Sequence, residues 1–343
     1  MERVLIADIA VAHPALRITQ SEAAANIARI TGDHRRVAAL ARGTRIGSRA
    51  ICVSPIELAS LTSIAARNDV YRRLTPPLAF ECTAAVLGET PRETVSAIVS
   101  SSCTGYALPG WASGLVPALG LPIETVRVPI TEAGCAGGVV AIALAAEHLR
   151  HRPGMVALAT AVELCSLSFG PVESESALAA SLIFGDGAGA ALLTSGEGRG
   201  IEIVDAMSVL VPNSAGALGF DLTDDGFTPV LARALPELLA TPTFAAVKRL
   251  LARNRLVQND ISAWLIHPGG ARILRSLETV FGLEHGRARW SWDSMAEFGN
   301  TSSAAIFDVL RRYLRSDMPN GYAVAAAFGP GVSIELLLVH RWC

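Results

Sequence analysis

The sequence predicts an α/β protein with a large buried core. Three observations carry that expectation: short apolar runs alternate with stretches of helical periodicity, glycine-rich turns separate them, and 51% of the 343 residues are hydrophobic while 17% are charged. Residues 3–11 read as the first strand. Helical patterns follow at about residues 19–30 and 37–42, then a strand at 95–101. Cys135 stands ahead of the alanine-rich run 140–149, which has the composition of a buried helix. Residues 155–162 read as a strand, and 182–193, centred on Gly185-Asp-Gly187, as a strand pair. After the turn Thr194-Ser-Gly-Glu-Gly-Arg-Gly200 comes a strand at 201–209, helices at 229–239 and 244–253, and a strand at 263–267. Helices at 271–280 and 303–315 and strands at 321–328 and 333–340 complete the chain. The order reads as two rough copies of one βαβ pattern, 1–198 and 199–343, without a residue-level repeat. Taken alone, the strand pattern also fits an ordinary doubly wound sheet.

Composition excludes several function classes. The net charge is −2 with no basic block, so a nucleic-acid partner is not expected. No uninterrupted apolar run reaches the ~18 residues of a membrane span, and the first residues lack a basic-then-apolar signal, so a cytoplasmic enzyme is expected. The six cysteines, at 52, 82, 103, 135, 165 and 343, form no C-x-x-C pair, which argues for reduced thiols and against a disulfide framework or a metal site. Lys248 is the single lysine, so contacts to substrate phosphates must come from arginine or backbone N–H groups. The candidates are Arg35, Arg36, Arg42 and Arg45.

Three polar groups stand out within apolar surroundings. Cys135, in Gly134-Cys-Ala-Gly-Gly138, lies at a helix start, where backbone N–H groups and the macrodipole favour a thiolate and hence a nucleophile. His267 ends a short strand before Pro268-Gly-Gly270, and Asn300 precedes the helical pattern at 303–315. Singly, each has a plain structural reading: a small residue in a tight turn, a core histidine, a helix cap. Together they suit a thiol nucleophile with an imidazole and an amide to hold a developing oxyanion. The glycines around Asp186 and Cys135 match neither a phosphate-binding loop nor a dinucleotide fingerprint.

With these residues in hand, the chain resembles the type III polyketide synthases, the chalcone synthase-like branch of the thiolase superfamily. The motifs, in family order, are Ser102-Cys-Thr-Gly-Tyr-Ala-Leu-Pro-Gly110, Gly134-Cys-Ala-Gly-Gly138, Phe184-Gly-Asp-Gly-Ala188, His267-Pro-Gly-Gly270, Gly299-Asn-Thr-Ser-Ser303 and Phe328-Gly-Pro-Gly331. They cover the chain from about residue 100 to its end; the first hundred residues match more loosely.

The resemblance implies the five-layered αβαβα thiolase fold with two duplicated halves, an acyl-CoA starter loaded on Cys135, and malonyl-CoA as extender. His267 and Asn300 would stabilise the enolate formed by decarboxylation, and the chain would be extended in two-carbon steps and cyclised without a cofactor. It places Cys103, Thr104, Ser168, Phe184 and Ser302 around the cavity, with Phe184 as a gatekeeping aromatic, and implies a homodimer in which Leu108 reaches the partner's cavity. Cys103 before Thr104-Gly resembles bacterial members. Pro229 falls where plant chalcone synthases carry a second gatekeeping phenylalanine, and Ala327 replaces the first glycine of the terminal motif. The competing readings are a ketoacyl synthase-like condensing enzyme fed by an acyl carrier protein, a Cys-His hydrolase, and a catalytically silent acyl-CoA-binding protein on the same fold.

Overall fold

The computed structural model describes residues 2–342 except 169–171, 173, 225 and 285; Cys343 lies outside the described residues. In chain order the first elements are β1 (Val4–Ala12), β2 (Arg17–Thr19), α1 (Gln20–Thr31), α2 (His34–Thr44), β3 (Ser48–Ala50), α3 (Pro55–Ser60), α4 (Ile64–Leu87), β4 (Val95–Ser101), α5 (Trp111–Ala118) and β5 (Val126–Ile130). Then come α6 (Gly137–Leu149), β6 (Val156–Leu164), α7 (Cys165–Ser168), α8 (Glu175–Ile183) and β7 (Asp186–Ser195). The later part holds β8 (Gly200–Leu210), β9 (Leu218–Thr223), β10 (Gly226–Leu231), α9 (Leu235–Arg253), β11 (Ile261–Ile266), α10 (Ala271–Phe281), α11 (Arg289–Phe298), α12 (Ala305–Leu314), β12 (Gly321–Gly329) and β13 (Ser333–Trp342).

Local chemistry fixes many of these ends. Thr19 and Glu22 form a reciprocal capping box ahead of α1, and Gly32 closes that helix in the left-handed region at φ 73°. Ser54, Ser63 and Ser174 cap α3, α4 and α8 through side-chain oxygens. β6 and β12 are buried along most of their length and carry alanine and valine on both faces, as strands sandwiched between helices must.

Nine strands form one mixed sheet in the order β11-β12-β13-β8-β1-β7-β6-β4-β5. Its two arms repeat each other. In the first, β4 and β6 run parallel while β6–β7 and β7–β1 are antiparallel; in the second, β11 and β12 run parallel while β12–β13 and β13–β8 are antiparallel. Within the sheet the arms join where Leu5 and Ile6 of β1 meet Glu202 and Ile201 of β8. Helices α6 and α12 lie between them, each touching strands of both arms. Helix α4 covers the outer face of the first arm, and α9 with α10 covers the second. The layers are therefore αβαβα, the thiolase arrangement, and the duplication invisible residue by residue is plain in strand order. No helix among the described residues is long and apolar enough to cross a membrane.

Two expected elements are corrected. Residues 182–193 are not a strand pair: α8 runs to Ile183, and Asp186 opens a single strand. The expected helix at 229–239 begins late, because Gly226–Leu231 pairs with β9 as a hairpin; α9 then runs unbroken from Leu235 through Pro242 to Arg253. Pro229 is accommodated because this two-stranded hairpin leaves strand edges unpaired.

The interior of the central layer is set by Ile306, Phe307 and Leu310 of α12 against Ile142 and Ala145 of α6, all 0% exposed. Phe307→Ala is expected to cost about 3–5 kcal/mol, against about 0.5–1.5 kcal/mol for Ile306→Val. Urea unfolding midpoints of the two variants and the parent check the ranking.

Candidate active site

Cys135 sits in the 3-10 turn Gly134–Ala136 leading into α6, at the head of the central layer. The turn can lie there because Gly137 and Gly138 lack side chains. A Cβ on Gly137 would fall 2.0 Å from Ser101 Oγ, and one on Gly138 would fall 2.2 Å from the Ser303 carbonyl oxygen. Ser303 belongs to the corresponding turn of the other arm, Ser302–Ala304, which leads into α12. The two helix starts therefore abut. Cys135 Sγ donates to Ser302 Oγ at 3.5 Å, and Cys103 Sγ lies 3.4 Å from the same hydroxyl.

Asn300 is held on all its backbone and carbonyl groups. Its Oδ1 accepts the Ser302 N–H at 2.8 Å, its own N–H donates to the Ile183 carbonyl at 2.9 Å, and its carbonyl accepts the Gly185 N–H at 3.0 Å. These last bonds form a bridge between Asn300 and Phe184, one from each arm. With Oδ1 occupied, the side-chain N–H donates toward Cys135 and favours its thiolate.

His267 follows β11, with its backbone N–H on the Ala326 carbonyl at 2.7 Å and its side chain 1% exposed. Neither ring nitrogen has a hydrogen-bond partner among the described residues, so no bond joins it to Cys135 in this state. The neighbouring strand β12 ends at Gly329, where an added Cβ would lie 2.5 Å from the Ala133 carbonyl oxygen. The strand beside His267 thus runs into the turn that holds Cys135.

The expectation of a low thiol pKa at a helix start is overturned. Burial pushes the Cys135 thiol up to about 11; Ser302 and Asn300 pull it down, and Glu163 raises it further. The groups acting on it are hydroxyl, amide and carboxylate, none cationic, so desolvation outweighs the aligned N–H groups. Burial also drives His267 down to about 3. Thiol and imidazole are both neutral near pH 7 in this state.

Glu163, fully buried in β6, is the functional neighbour that the sequence reading missed. Its Oε2 accepts the Cys103 N–H at 3.1 Å and the Thr104 hydroxyl at 2.8 Å, and its Oε1 accepts the Ser302 hydroxyl at 3.3 Å and the Ser303 hydroxyl. Burial raises its pKa while these donors oppose the rise. One signal was available: a lone carboxylate closing an apolar run.

Cys103, Thr104, Ser168, Phe184 and Ser302 line one cavity, with Cys165, Phe220 and Phe227; its volume is about 10 Å³. Phe220 and Phe227 come from the β9–β10 hairpin and cross edge to face at 6.1 Å. Pro229 pairs opposite Phe220 in that hairpin, and the aromatic wall comes from Phe227, two residues earlier. Leu108 stands apart, 81% exposed. Arg35, Arg36 and Arg42 lie on α2 and Arg45 caps it; all four are exposed. Arg36 pairs with Glu175 of α8, which also holds Arg233, and Arg45 stacks over the Trp292 ring at 5.1 Å.

A duplicated thiolase-type fold in which a cysteine of one arm faces an amide of the other, with a buried histidine after β11, defines a class of acyl-transferring condensing enzymes. Within that class the chain belongs to the chalcone and stilbene synthase family, matching the family's N-terminal domain over residues 8–197 and its C-terminal domain over 202–342. A putative chalcone synthase of Bacillus subtilis is 35% identical over 263 residues, 72% of this chain and 71% of the relative. A 1,3,6,8-tetrahydroxynaphthalene synthase of Streptomyces peucetius is 33% identical over 256 residues, 72% and 67% of the two chains. The crystal structure of 1,3,6,8-tetrahydroxynaphthalene synthase from Streptomyces coelicolor, a bacterial type III polyketide synthase, superposes with TM-score 0.92 at 28% identity over 99% of each chain. The enzyme is a polyketide synthase, and the carrier-dependent ketoacyl synthase reading is not favoured.

Because the Glu163 carboxylate raises the Cys135 pKa, Glu163→Gln is expected to move the pH profile of Cys135 alkylation down by about one unit. Iodoacetamide rates followed by peptide mass spectrometry from pH 6 to 10 check this; an unmoved profile means that Glu163 is already protonated.

Proposed function

We propose that this type III polyketide synthase loads a starter acyl group from an acyl-CoA on Cys135 and extends it with malonyl-CoA. The observation that carries the reading is the orientation of Asn300. Its Oδ1 is tied to the Ser302 N–H, so its side-chain N–H groups face the thiol across the junction of the two arms. That is where the oxygen of a thioester bound to Cys135, or of an enolate poised to attack it, carries charge.

In this mechanism His267 takes the Cys135 proton, and the two opposite charges offset part of each other's desolvation. The thiolate attacks the acyl-CoA carbonyl, the C–S bond to CoA breaks, and the CoA thiolate leaves with the proton from His267. Malonyl-CoA then loses CO2, its electron pair passing into a thioester enolate held by N–H donors from His267 and Asn300. The enolate carbon attacks the acyl-Cys135 carbonyl and expels the Cys135 thiolate, giving a β-ketoacyl-CoA two carbons longer. Repetition and ring closure follow beside the thiol, where the space walled by Cys103, Thr104, Ser168, Phe184 and Ser302, about 10 Å³ in the structure, has to widen by displacement of Phe184, Phe220 or Phe227 to hold the growing chain. The chemistry uses carbon–sulfur and carbon–carbon bond changes with no redox step, so it calls for no cofactor beyond the CoA thioesters.

The same reading assigns residues 1–198 to the arm bearing the nucleophile and 199–343 to the arm bearing His267 and Asn300. It brings the CoA phosphates to the exposed arginines of α2, Arg35, Arg36 and Arg42, and to Arg45 after it. It also takes the chain as a homodimer. In support, the edge strand β5 and its flanking segments carry exposed apolar side chains, Tyr106, Leu108, Ile123 and Val126, a pattern that an isolated subunit does not need.

Intact-protein mass after incubation with a panel of short, medium, long and aromatic acyl-CoAs tests the nucleophile. A gain equal to the acyl group is expected for wild type and none for Cys135→Ala; adducts persisting in that variant reject Cys135. Asn300→Ala is expected to slow loading by less than about tenfold, through loss of its N–H to the thiolate, yet release CO2 from malonyl-CoA about 100- to 1,000-fold more slowly. Equal loss of loading and decarboxylation would reject that division of roles. Sedimentation velocity is expected to show a dimer that Ile123→Glu weakens, while a wild-type monomer would reject the dimer.

A further inference from the structure

Behind Phe184, on the side away from the β9–β10 hairpin, α1, α3 and α8 enclose a second cavity of about 300 Å³. It shares Phe184 and Cys165 with the cavity beside the thiol but opens between different helices. Most of its wall is aliphatic, including Ile27, Ile30, Ile51, Val53 and Leu58. Its charged groups are two guanidinium groups, Arg49 and Arg67, and among the described residues no aspartate or glutamate lines it.

Arg49 is the unusual member. It is 2% exposed, and its Nη1 has no hydrogen-bond partner among the described residues. The nearest counter-charge, Asp186, is committed elsewhere: its carboxylate accepts the Cys52 N–H at 2.7 Å, the Ser166 N–H at 2.7 Å and the Ser166 hydroxyl at 2.5 Å. Burial lowers the Arg49 pKa only to about 10, so the group stays charged near neutral pH. A buried cation without an acceptor costs free energy unless a bound partner supplies one. Here the partner's space is apolar.

We propose that this cavity binds an amphipathic monocarboxylate, its carboxylate on Arg49 and its aliphatic tail against Ile27, Ile51 and Leu58. At about 30 Å³ per water-sized group, 300 Å³ takes a ligand of about ten non-hydrogen atoms, the size of octanoate. The carboxylate completes the hydrogen bonding of the guanidinium, and the tail removes its own apolar surface from water. Because Phe184 is common to both cavities, occupancy braces one wall of the thiol site without touching Cys135. This site is independent of the substrate assignment above: its ligand is a free acid, which has no thioester to transfer.

Calorimetric titration of the full-length protein with sodium octanoate and with octan-1-ol separates head-group from tail recognition. Octanoate is expected to bind one site at least tenfold more tightly than the alcohol. Arg49→Met is expected to bring the acid down to the affinity of the alcohol. Ala59→Trp, whose new side chain fills the cavity from α3, is expected to lose both ligands while Cys135 still loads an acyl-CoA. Absence of octanoate binding to wild type, equal affinities for acid and alcohol, or undiminished binding to Ala59→Trp would each overturn the proposal. Should Arg49→Met fail to fold, the acid-to-alcohol ratio and the Ala59→Trp titration still decide the matter.

Discussion

Everything at the candidate site depends on how closely two helix starts can approach. The turn bearing Cys135 and the turn bearing Ser302 and Ser303 come from different arms of the sheet, and only glycine at 137 and 138 leaves room for one backbone against the other. A side chain at either place would collide with Ser101 or Ser303 and drive the central helices apart. That separation would take Ser302 away from Cys135 and, with it, Asn300. The packing constraint and the chemical one are therefore the same constraint. A thiol from one arm faces an amide from the other because α6 and α12 meet at their starts.

A second dependence is electrostatic. Glu163 gathers the Cys103 N–H and the hydroxyls of Thr104, Ser302 and Ser303, and so ties the loop after β4 to the turn before α12. Burial, and after it the same carboxylate, raises the pKa of both Cys103 and Cys135 and favours their thiols. Order and reactivity pull in opposite directions here. The carboxylate that positions Ser302 beside Cys135 also disfavours the thiolate there. His267 is buried and neutral, and neither ring nitrogen has a hydrogen-bond partner among the described residues.

Much of this was legible in the sequence, and the reasons are specific. β4 has the bounds expected of it, and α6, α10, α12 and β11 to β13 lie within two or three residues of expectation, since each is a strongly apolar run beside a glycine or polar punctuation. The 24-residue helix α4 was not legible. Pro76 and Pro77 interrupt its middle, and its hydrophobic residues do not gather on one face because it buries one side against β1, β6 and β7 and another against α5. The hairpin at 218–231 was not expected, and its last residues, from Pro229, were read as the start of a helix, with tertiary contact overriding a weak local pattern. That misreading hid Phe220 and Phe227 and left Pro229 as the only candidate for an aromatic position. Glu163 and Arg49 were hidden differently: each lies in a short apolar segment, and its importance comes from partners far away in the chain.

The bridge between Phe184 and Asn300 shows why the two arms cannot be understood separately. Phe184 ends α8 and Asn300 precedes α12, yet their backbones are bonded through Ile183, Gly185 and Asn300 itself. Asp186, next along, is fixed by Ser166 and by Cys52, so Phe184 is anchored on both sides. A change in the cavity behind Phe184 must then be met either by rotation of its ring or by a shift of the bridge. Rotation alters the space in the cavity beside the thiol, whereas a shift of the bridge moves the amide that faces Cys135. Cavity shape and the placement of the Asn300 amide are coupled through one pair of backbone hydrogen bonds. Side-chain variation near Phe184 can tune the first freely only while that pair holds the second in place.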